Sequence, residues 1–215
     1  MQDNLHDYRK SYTKSSLTRE NLDANPMQQF RTWFYEANDS NSVDEANAMT
    51  ISTIGEDGFP KSRVVLLKSY NENGFVFYTN YESEKGQTLA QNPHTCLSFF
   101  WPGLERQIII KGKAEKLSAQ QSDNYFSSRP KGSQLGAIVS PQSQVLQSRE
   151  YLEKNLQELE ENFKNKEIPR PANWGGFLVK PLSIEFWQGR PNRLHDRFLF
   201  TLQENYDWKI DRLAP

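Results

Sequence analysis

Two arginines and a histidine occupy alternate positions near the C-terminal end of the chain, in the run RLHDR at residues 193–197. Because successive side chains of a strand point to opposite faces, an extended chain places Arg193, His195 and Arg197 on one face. Guanidinium forks match phosphate geometry, so the row predicts an anion site, while a solvated strand face explains it equally well. Trp187 favours the site, because an indole beside cations often lines an aromatic ligand pocket.

A second candidate anion site lies in the run YFSSRPKGS at residues 125–133, where one predicted helix ends and another begins. Arg129 offers a guanidinium fork, Ser133 offers a hydroxyl group, and the second helix offers the partial positive charge of its N-terminus. Tyr125 lies one helical turn before Arg129 and therefore on the same side. The run predicts a phosphate site, with a helix–turn–helix that carries exposed cations as the equally weighted alternative.

A third cationic group is spread over residues 63–85. Lys85 follows Ser83 at a predicted helix start, where unpaired backbone N–H groups attract phosphate, although an ordinary capped helix explains these two residues better. Arg63 and Lys68 flank the apolar run VVLL, but their spacing places them on opposite faces of a regular strand. This pair is therefore only a weak indication of a site.

Hydrophobic periodicity indicates the elements that position these groups. Asn25 and Pro26 form a helix start, and Ser118 is the predicted N-cap of a later helix. The predicted strands cover residues 48–54, 61–70, 75–80, 95–101, 107–117, 176–180, 183–188, 193–203 and 208–211, and the predicted helices cover 83–91, 118–128, a short segment from about 133, and 148–166. Short turns join most strands, so the predicted fold class is mainly β with helices, in a largely antiparallel β-barrel.

The composition of the 215-residue chain excludes several classes of protein. A net charge of −1 gives no overall attraction to nucleic acid or membrane. The single cysteine, Cys96, excludes an internal disulfide and indicates a reducing compartment. No run approaches the roughly 20 apolar residues of a membrane span, and no secretory signal is present, so we expect a soluble cytoplasmic protein. We expect residues 1–25 to be a mobile segment and residues 26–215 to be one domain.

Motifs for several other chemistries are missing from the sequence. His6, His94 and His195 are scattered, and no Cys/His cluster has the spacing of a zinc site. The nucleotide motifs G-x-G-x-x-G and G-x-x-x-x-G-K-[ST] and the nucleophile motif G-x-S-x-G are absent. The sequence therefore predicts no metal centre and contains no residues that support a hydrolase or a Rossmann-type enzyme.

Taken together, these motifs resemble the pyridoxamine 5'-phosphate oxidase family, the flavin enzymes of vitamin B6 metabolism. The resemblance extends from residue 9 to residue 215. It is carried by RVVLLK at 63–68, YTN at 78–80, LERQ at 104–107, YFSSRPKGSQLGA at 125–137, SPQS at 140–143, WGGF at 174–177, IEFWQG at 184–189, RLHDRF at 193–198 and the C-terminal WKIDRLAP. So many long motifs in the order of the family make coincidence an inadequate explanation.

The resemblance implies an FMN-binding split β-barrel that forms a homodimer, with FMN at the subunit interface. The implied FMN-binding residues are Arg63, Val64, Val65, Leu66, Leu67, Lys68, Tyr78, Thr79, Lys85, Gln107, Gln142, Ser143, Trp187 and Arg197. The implied substrate-binding residues are Arg9, Tyr12, Lys68, Tyr125, Arg129, Ser133, Arg193, Leu194 and His195. Among these, Arg193 and His195 are the implied catalytic residues, and Arg9 and Tyr12 match residues that close over the substrate as a lid.

The activity that the resemblance implies is oxidation of pyridoxamine or pyridoxine 5'-phosphate to pyridoxal 5'-phosphate, with dioxygen reduced to hydrogen peroxide. A flavin or pyridoxal-phosphate carrier on the same barrel is the alternative, and a generic flavin reductase is disfavoured because it needs no second phosphate pocket. Glu84 departs from the family, since many relatives carry a basic residue there. We expect Glu84 to face solvent and to leave Arg63 and Lys85 as the main cations for the FMN phosphate.

Overall fold

The computed structural model describes residues 4–215, which form five α-helices, nine strands and a 3-10 turn at Pro191–Arg193. The helices are α1 Pro26–Asn38, α2 Glu84–Gln91, α3 Ala119–Ser128, α4 Lys131–Val139 and α5 Arg149–Asn162. The strands are β1 Ala48–Ile54, β2 Pro60–Leu66, β3 Ser69–Asn71, β4 Gly74–Asn80, β5 His94–Trp101, β6 Arg106–Lys116, β7 Trp174–Gln188, β8 Asp196–Leu202 and β9 Trp208–Arg212.

All nine strands belong to one sheet, in the order β2-β1-β5-β6-β7-β4-β3, with β8 paired to β7 and β9 paired to β8. The registers of β3 with β4, β4 with β7, β7 with β8 and β8 with β9 are antiparallel. The chain forms two compact units. The first unit comprises Met1–Thr50, of which residues 4–50 are described, Cys96–Lys111 and Pro181–Pro215, and the second unit comprises Ile51–Thr95 and Gly112–Lys180.

The first unit is built around aromatic side chains of α1, β7 and β8. The ring centroid of Phe186 lies 5.3 Å from that of Trp33 and 5.6 Å from that of Phe200, in edge-to-face contacts. Buried residues alternate with more exposed ones at the end of β7 and along β8, so one face of these strands is buried. Asn25 caps α1 with its side-chain oxygen and Pro26 follows at the first helical position, as predicted.

The second unit contains a separate apolar cluster that holds its helices together. The buried members are Phe126, Leu135, Ile168 and Trp174, and the partly buried side chains packed against them include Leu156, Leu159 and Phe163. The leucine spacing predicted this apolar face of α5. Ser118 caps α3 through reciprocal hydrogen bonds with Gln121, which fixes the start of the helix that carries Tyr125.

Several predicted element bounds differ from the structure. The predicted strand 61–70 is divided into β2 and β3, because the ladder is interrupted at Leu67 and Lys68. The predicted strands 176–180 and 183–188 are one strand, β7, which passes through Pro181. This proline lies between the registers of β7 with β4 and with β8, so its missing N–H group costs no bond to either strand. Helix α4 begins at Lys131 rather than near residue 133, and α5 ends at Asn162 rather than at 166.

The predicted strand row of Arg193, His195 and Arg197 is wrong. Pro191 opens a 3-10 turn, and Asn192 and Arg193 both adopt left-handed backbone conformations, with φ of +58° and +62°. Strand β8 starts only at residue 196, so Arg193 and His195 lie in a loop while Arg197 lies in the strand. The two cations and the imidazole therefore share no strand face.

Residues 1–3 of the predicted mobile segment lie outside the described residues. Further along this segment, Leu17 and Leu22 are buried, and the Leu17 N–H group donates a hydrogen bond to Asp196 Oδ2 at 3.1 Å. The mobility of residues 1–25 and the single domain at 26–215 stay predictions. Within residues 4–215, no helix combines the length and the apolar character that crossing a membrane requires.

Candidate active site

A cavity of about 610 Å³ lies in the second unit, which is within the size range of small-molecule sites. It brings together eleven of the predicted site residues: Val64, Val65, Leu66, Lys68, Tyr78, Thr79, Lys85, Tyr125, Arg129, Ser133 and Gln142. These residues come from β2, β4, α2, α3, α4 and the loops that follow β2 and α4. The cavity therefore unites the second and third cationic groups of the sequence.

Lys85 is a buried cation at the start of α2. Its ammonium group donates hydrogen bonds to Thr79 Oγ1 at 3.2 Å and to Ser83 Oγ at 3.4 Å, and Ser83 also caps the helix. The pKa of Lys85 is lowered to about 8, mainly by burial and also by the positive charge of Arg63, against the opposing effect of Glu84. An anion that enters here recovers the lost solvation of the ammonium group, so this position suits a phosphate.

Arg63 and Glu84 lie at the exposed side of this lysine. Arg63 Nη1 donates to Thr53 Oγ1 and to the Lys61 carbonyl, each at 2.7 Å, and its Nη2 lies 4.0 Å from Glu84 Oε2. Glu84 also pairs with the Lys61 ammonium group, and its side chain is 47% exposed. Glu84 thus faces solvent as predicted, but it also offsets part of the positive charge of Arg63.

Arg129 is the second cation of the cavity, at the C-terminal cap of α3. Its guanidinium carbon lies 4.6 Å above the ring of Trp174, and within residues 4–215 its buried Nη1 atom finds no hydrogen-bond partner. Burial lowers the pKa of Arg129, and the neighbouring Tyr125 opposes this shift. A buried guanidinium nitrogen without a partner is costly, so its environment favours an anionic ligand.

Two residues that support Arg129 were missed by the analysis of the sequence. Gln134 donates from Nε2 to the carbonyl oxygens of Phe126, Ser127 and Arg129 at 3.0, 3.1 and 3.1 Å. It thereby satisfies the last carbonyls of α3, which lack partners within the helix. The only signal in the sequence was a glutamine six residues after the last residue of α3.

Trp174 is the other missed residue, and it belongs to a stack of rings beside the cavity. The ring centroid of Tyr78 lies 3.8 Å from that of Tyr125 and 5.5 Å from that of Trp174, with interplanar angles below 20°. Burial raises the pKa of both tyrosines, which keeps their hydroxyl groups protonated. The stack forms an apolar side of an otherwise cationic site, as a phosphorylated aromatic ligand requires.

His195 is at the centre of an aromatic cluster in the first unit. Its ring centroid lies 4.7 Å from that of Trp187 and 5.8 Å from that of Tyr12. The backbone N–H group of Arg190 donates to His195 Nδ1 at 3.0 Å, so the neutral ring carries its proton on Nε2. Burial and the charge of Arg193 lower the pKa of His195, which favours the neutral ring at neutral pH.

The other predicted residues of the RLHDR run differ in exposure. Arg193 is exposed, and Leu194 is 69% exposed, so neither packs into the core. Arg197 is half-buried and donates from Nε to Glu185 Oε1 at 2.8 Å. The intervening Asp196 is buried and accepts a 2.5 Å hydrogen bond from Arg212. Arg197 and Arg212 are therefore each paired with a carboxylate.

Five predicted residues lie outside the cavity and outside the aromatic cluster around His195, or at the edge of one of them. Leu67 is buried in the core, Ser143 is exposed with φ +73°, Gln107 donates to Ser98 Oγ at 3.4 Å, and Arg9 donates to the carbonyl of His6 at 3.0 Å. Arg63 is the fifth, beside Lys85. Gln142 does line the cavity and accepts a hydrogen bond from Thr79 Oγ1 at 3.2 Å.

Comparison with solved structures supports the architecture. The crystal structure of PhzG from Burkholderia lata 383 is 28% identical, with a TM-score of 0.85 over 91% of this chain and 95% of that chain. A pyridoxamine 5'-phosphate oxidase-related, FMN-binding protein from Nostoc punctiforme is 15% identical, with a TM-score of 0.71 over 90% of this chain and 100% of that chain, which is a likeness of fold. The predicted class, a largely antiparallel split β-barrel with helices, is confirmed.

Comparison of sequences extends over the whole chain. Proteins named pyridoxine/pyridoxamine 5'-phosphate oxidase are 60% identical in Flavobacterium johnsoniae, over 98% of both chains, and 55% identical in Christiangramia forsetii, over 100% of both. Residues 37–163 match the family model described as pyridoxamine 5'-phosphate oxidase. Residues 174–215 match the model described as pyridoxine 5'-phosphate oxidase C-terminal dimerisation region. The resemblance drawn from the motifs is thus confirmed: this chain belongs to the pyridoxamine 5'-phosphate oxidase family.

Proposed function

We propose that this protein oxidises pyridoxamine 5'-phosphate and pyridoxine 5'-phosphate to pyridoxal 5'-phosphate, with dioxygen reduced to hydrogen peroxide. The amine reaction consumes one water molecule and releases ammonia. The alcohol reaction consumes no water and releases no ammonia. The observation that carries the proposal is the cavity of the second unit, where the buried Lys85 and the half-buried Arg129 lack an anionic partner among the described residues. Two phosphates, one from a flavin and one from the substrate, meet that need.

The cofactor we propose is FMN, a narrower statement than the flavin that family membership favours. Lys85 and Arg63 hold its phosphate, together with the Thr79 hydroxyl and the N-terminus of α2. The aliphatic side chains of Val64 and Leu66, which line the cavity, provide an apolar surface for a ring system. When bound, FMN accepts two electrons from the substrate and passes them to dioxygen.

Arg129 and its neighbours hold the substrate phosphate. Arg129 provides the guanidinium fork, Ser133 a hydroxyl group at the start of α4, and Lys68 a further cation, all of which line the cavity. Tyr125 contributes its ring and its hydroxyl group. Each charge-assisted hydrogen bond contributes about 1.5–3 kcal/mol, so the phosphate supplies a large part of the substrate affinity.

His195 and Arg193 act at the reacting end of the substrate. Because Nδ1 of His195 already accepts the Arg190 N–H group, the neutral ring carries a hydrogen on Nε2 and can donate a hydrogen bond to the amine or hydroxyl group of the substrate. The lowered pKa keeps the ring in this neutral form near neutral pH. The Arg193 side chain is exposed, so its guanidinium group is accessible and can orient the amine or hydroxyl group of the substrate.

The functional form we propose is a homodimer with FMN at the subunit interface. The match of residues 174–215 to the dimerisation region of the family supports a dimer. Arg9 and Tyr12 cover the substrate, as a lid formed by the N-terminal segment. Of these two, Tyr12 already contacts the rings of Trp187 and His195, which supports its part in the lid.

The test is a turnover assay of FMN-loaded protein with each phosphorylated substrate. We expect oxygen uptake and equal amounts of pyridoxal 5'-phosphate and hydrogen peroxide, and ammonia only with the amine. Pyridoxamine without its phosphate is the matched control and should react far more slowly at the same concentration. Stably bound FMN without turnover of either substrate would refute the oxidase and support the carrier instead.

A further inference from the structure

Glu105 is a buried acidic residue that none of the roles above uses. Its side chain is 2% exposed, and its backbone has φ +58°, in the left-handed region that residues with a side chain seldom occupy. Such a conformation persists only where the surrounding structure holds it, and it often marks a functional position. Glu105 lies in the first unit, at the turn between β5 and β6.

The carboxylate of Glu105 holds the backbone of the N-terminal segment. Its Oε2 atom accepts hydrogen bonds from the N–H groups of Thr13 at 2.8 Å and Lys14 at 2.9 Å. The Lys14 ammonium group also donates to the carbonyl of Gly103 in the same turn, and the Lys10 ammonium group lies 3.7 Å from Glu105 Oε1. Bonds from consecutive N–H groups to one oxygen fix the direction of the chain at this point.

The backbone carbonyl of Glu105 holds the end of β7. It accepts hydrogen bonds from the Gly189 N–H group at 2.7 Å and from Gln188 Nε2 at 3.2 Å. Tyr12 packs on this same glycine, since a Cβ atom there would lie 2.8 Å from the tyrosine ring. One residue thus fixes both the strand end that carries Trp187 and the segment that carries Tyr12.

We propose that Glu105 is a positioning residue that sets the ring of Tyr12 against His195. Glu105 acts through the two residues that follow Tyr12, and it has no contact with the imidazole. The inference rests on the proposed function, in which Tyr12 covers the substrate that His195 faces. Loss of the carboxylate should therefore weaken substrate binding and leave FMN binding unchanged.

The first test is hydrogen exchange of the Thr13 and Lys14 amides in the FMN-loaded full chain. Glu105→Gly removes the carboxylate while glycine adopts φ +58° readily, so the fold is retained. We expect about tenfold faster exchange at both amides, and near-wild-type exchange in Glu105→Gln, which keeps an acceptor oxygen. Glu36→Ala, which removes an exposed partner of Arg106 in the same unit, is the matched control. Unchanged exchange in Glu105→Gly, or equal acceleration in the control, would overturn the proposal.

The second test measures kinetics with pyridoxamine 5'-phosphate. Glu105→Gly should raise KM about tenfold with FMN retention unchanged, and Glu105→Gln should restore most of the affinity. Adding Glu105→Gly to Tyr12→Ala should raise KM no further, because Glu105 acts through the Tyr12 ring. Additive losses would contradict the proposal. Absence of turnover in the wild-type protein would refute the oxidase alone, since the exchange test needs no substrate.

Discussion

The two units of this chain treat their cations in opposite ways. In the second unit, Lys85 is buried and Arg129 is half-buried, with hydroxyl partners or an aromatic ring in place of a carboxylate. In the first unit, Arg197 pairs with Glu185, and the buried Asp196 pairs with Arg212. A desolvated cation without a counter-charge is costly in the absence of a ligand, whereas a carboxylate partner offsets part of that cost.

This difference indicates that the residues of the two units have different roles. The cavity of the second unit contains Lys85 and Arg129, for which the described residues provide no carboxylate, so this cavity suits the binding of phosphates. Around His195, the strand cations Arg197 and Arg212 are paired with carboxylates, and a neutral imidazole lies beside two aromatic rings, so these residues suit the orientation of a reacting group. Variants in the second unit should therefore change affinities, and variants around His195 should change turnover.

The largest effect is expected for His195→Ala, which should lower kcat by about 10²–10³-fold, the usual cost of removing a positioned hydrogen-bond donor. Arg193→Ala should also reduce turnover, because the reacting group of the substrate is then less well oriented. The flavin absorbance retained after gel filtration should match that of the wild type for both variants. A loss of flavin as large as the loss of turnover would remove both residues from the substrate side.

The next effect is expected for Lys85→Met, which should weaken FMN binding about 10–100-fold through loss of a charge-assisted contact. The apoprotein should melt no lower than the wild type, because the variant no longer buries an ammonium group without an anion. Fluorescence titration of FMN measures the affinity, and Lys180→Met, an exposed lysine paired with Glu115 in the same unit, is the control. Equal affinities of Lys85→Met and wild type would contradict the assignment.

Arg129→Ala should raise KM for pyridoxamine 5'-phosphate about tenfold or more, with a smaller change in kcat. Arg129→Lys keeps the charge but loses the fork and the stack on Trp174, so it should recover only part of the affinity. The control is Arg149→Ala, at an exposed arginine of α5 that pairs with Glu153. An unchanged KM in Arg129→Ala would place the substrate phosphate elsewhere.

The affinity for FMN should depend on pH through Lys85. Its pKa in the apoprotein is about 8, below the ordinary 10.5, so the ammonium form that binds phosphate is lost as pH rises through about 8. Affinity should change little around pH 7 and should fall as the pH rises through about 8, with proton uptake on binding. Calorimetry in two buffers measures this uptake. Lys85→Met should show no such fall, and the same fall in that variant would assign the effect to another group.

The smallest effect is expected for Glu84→Gln. Removing the carboxylate near Arg63 and Lys61 should strengthen FMN binding about threefold, more at low than at high ionic strength. The gain is small because Glu84 is half exposed and water screens its charge. Weaker binding in this variant would mean that Glu84 contributes by holding the two cations in place.

Local signals in the sequence predicted much of the fold. The predicted N-caps at Asn25, Ser83 and Ser118 were all confirmed, because a side-chain oxygen before a helix has a short-range effect. Strand β1 has its predicted bounds, Ala48–Ile54. Alternation of apolar residues over a complete strand leaves little freedom in its placement.

The failures arose where neighbours far along the chain, or an unusual backbone, determine the conformation. Residues 189–192 have the composition of a turn, but Asn192 and Arg193 both take left-handed conformations without a glycine, so nothing local indicated that the loop continues to His195. The role of Trp174 depends on its contacts with Tyr78 and Arg129, and the role of Gln134 depends on the end of α3. Neither set of contacts can be read from the neighbouring sequence. The cavity residues were assigned to one site through the family resemblance, because their spacing alone is also explained by capped helices and solvent-exposed cations.

The central claim is that bound phosphates in the second unit place a flavin and a B6 vitamer for electron transfer. The most direct measurement is the absorption spectrum of the FMN-loaded protein before and after anaerobic addition of pyridoxamine 5'-phosphate. We predict loss of the oxidised flavin bands on addition of substrate and their return when oxygen is admitted. A spectrum that keeps its oxidised bands with saturating substrate would contradict the account.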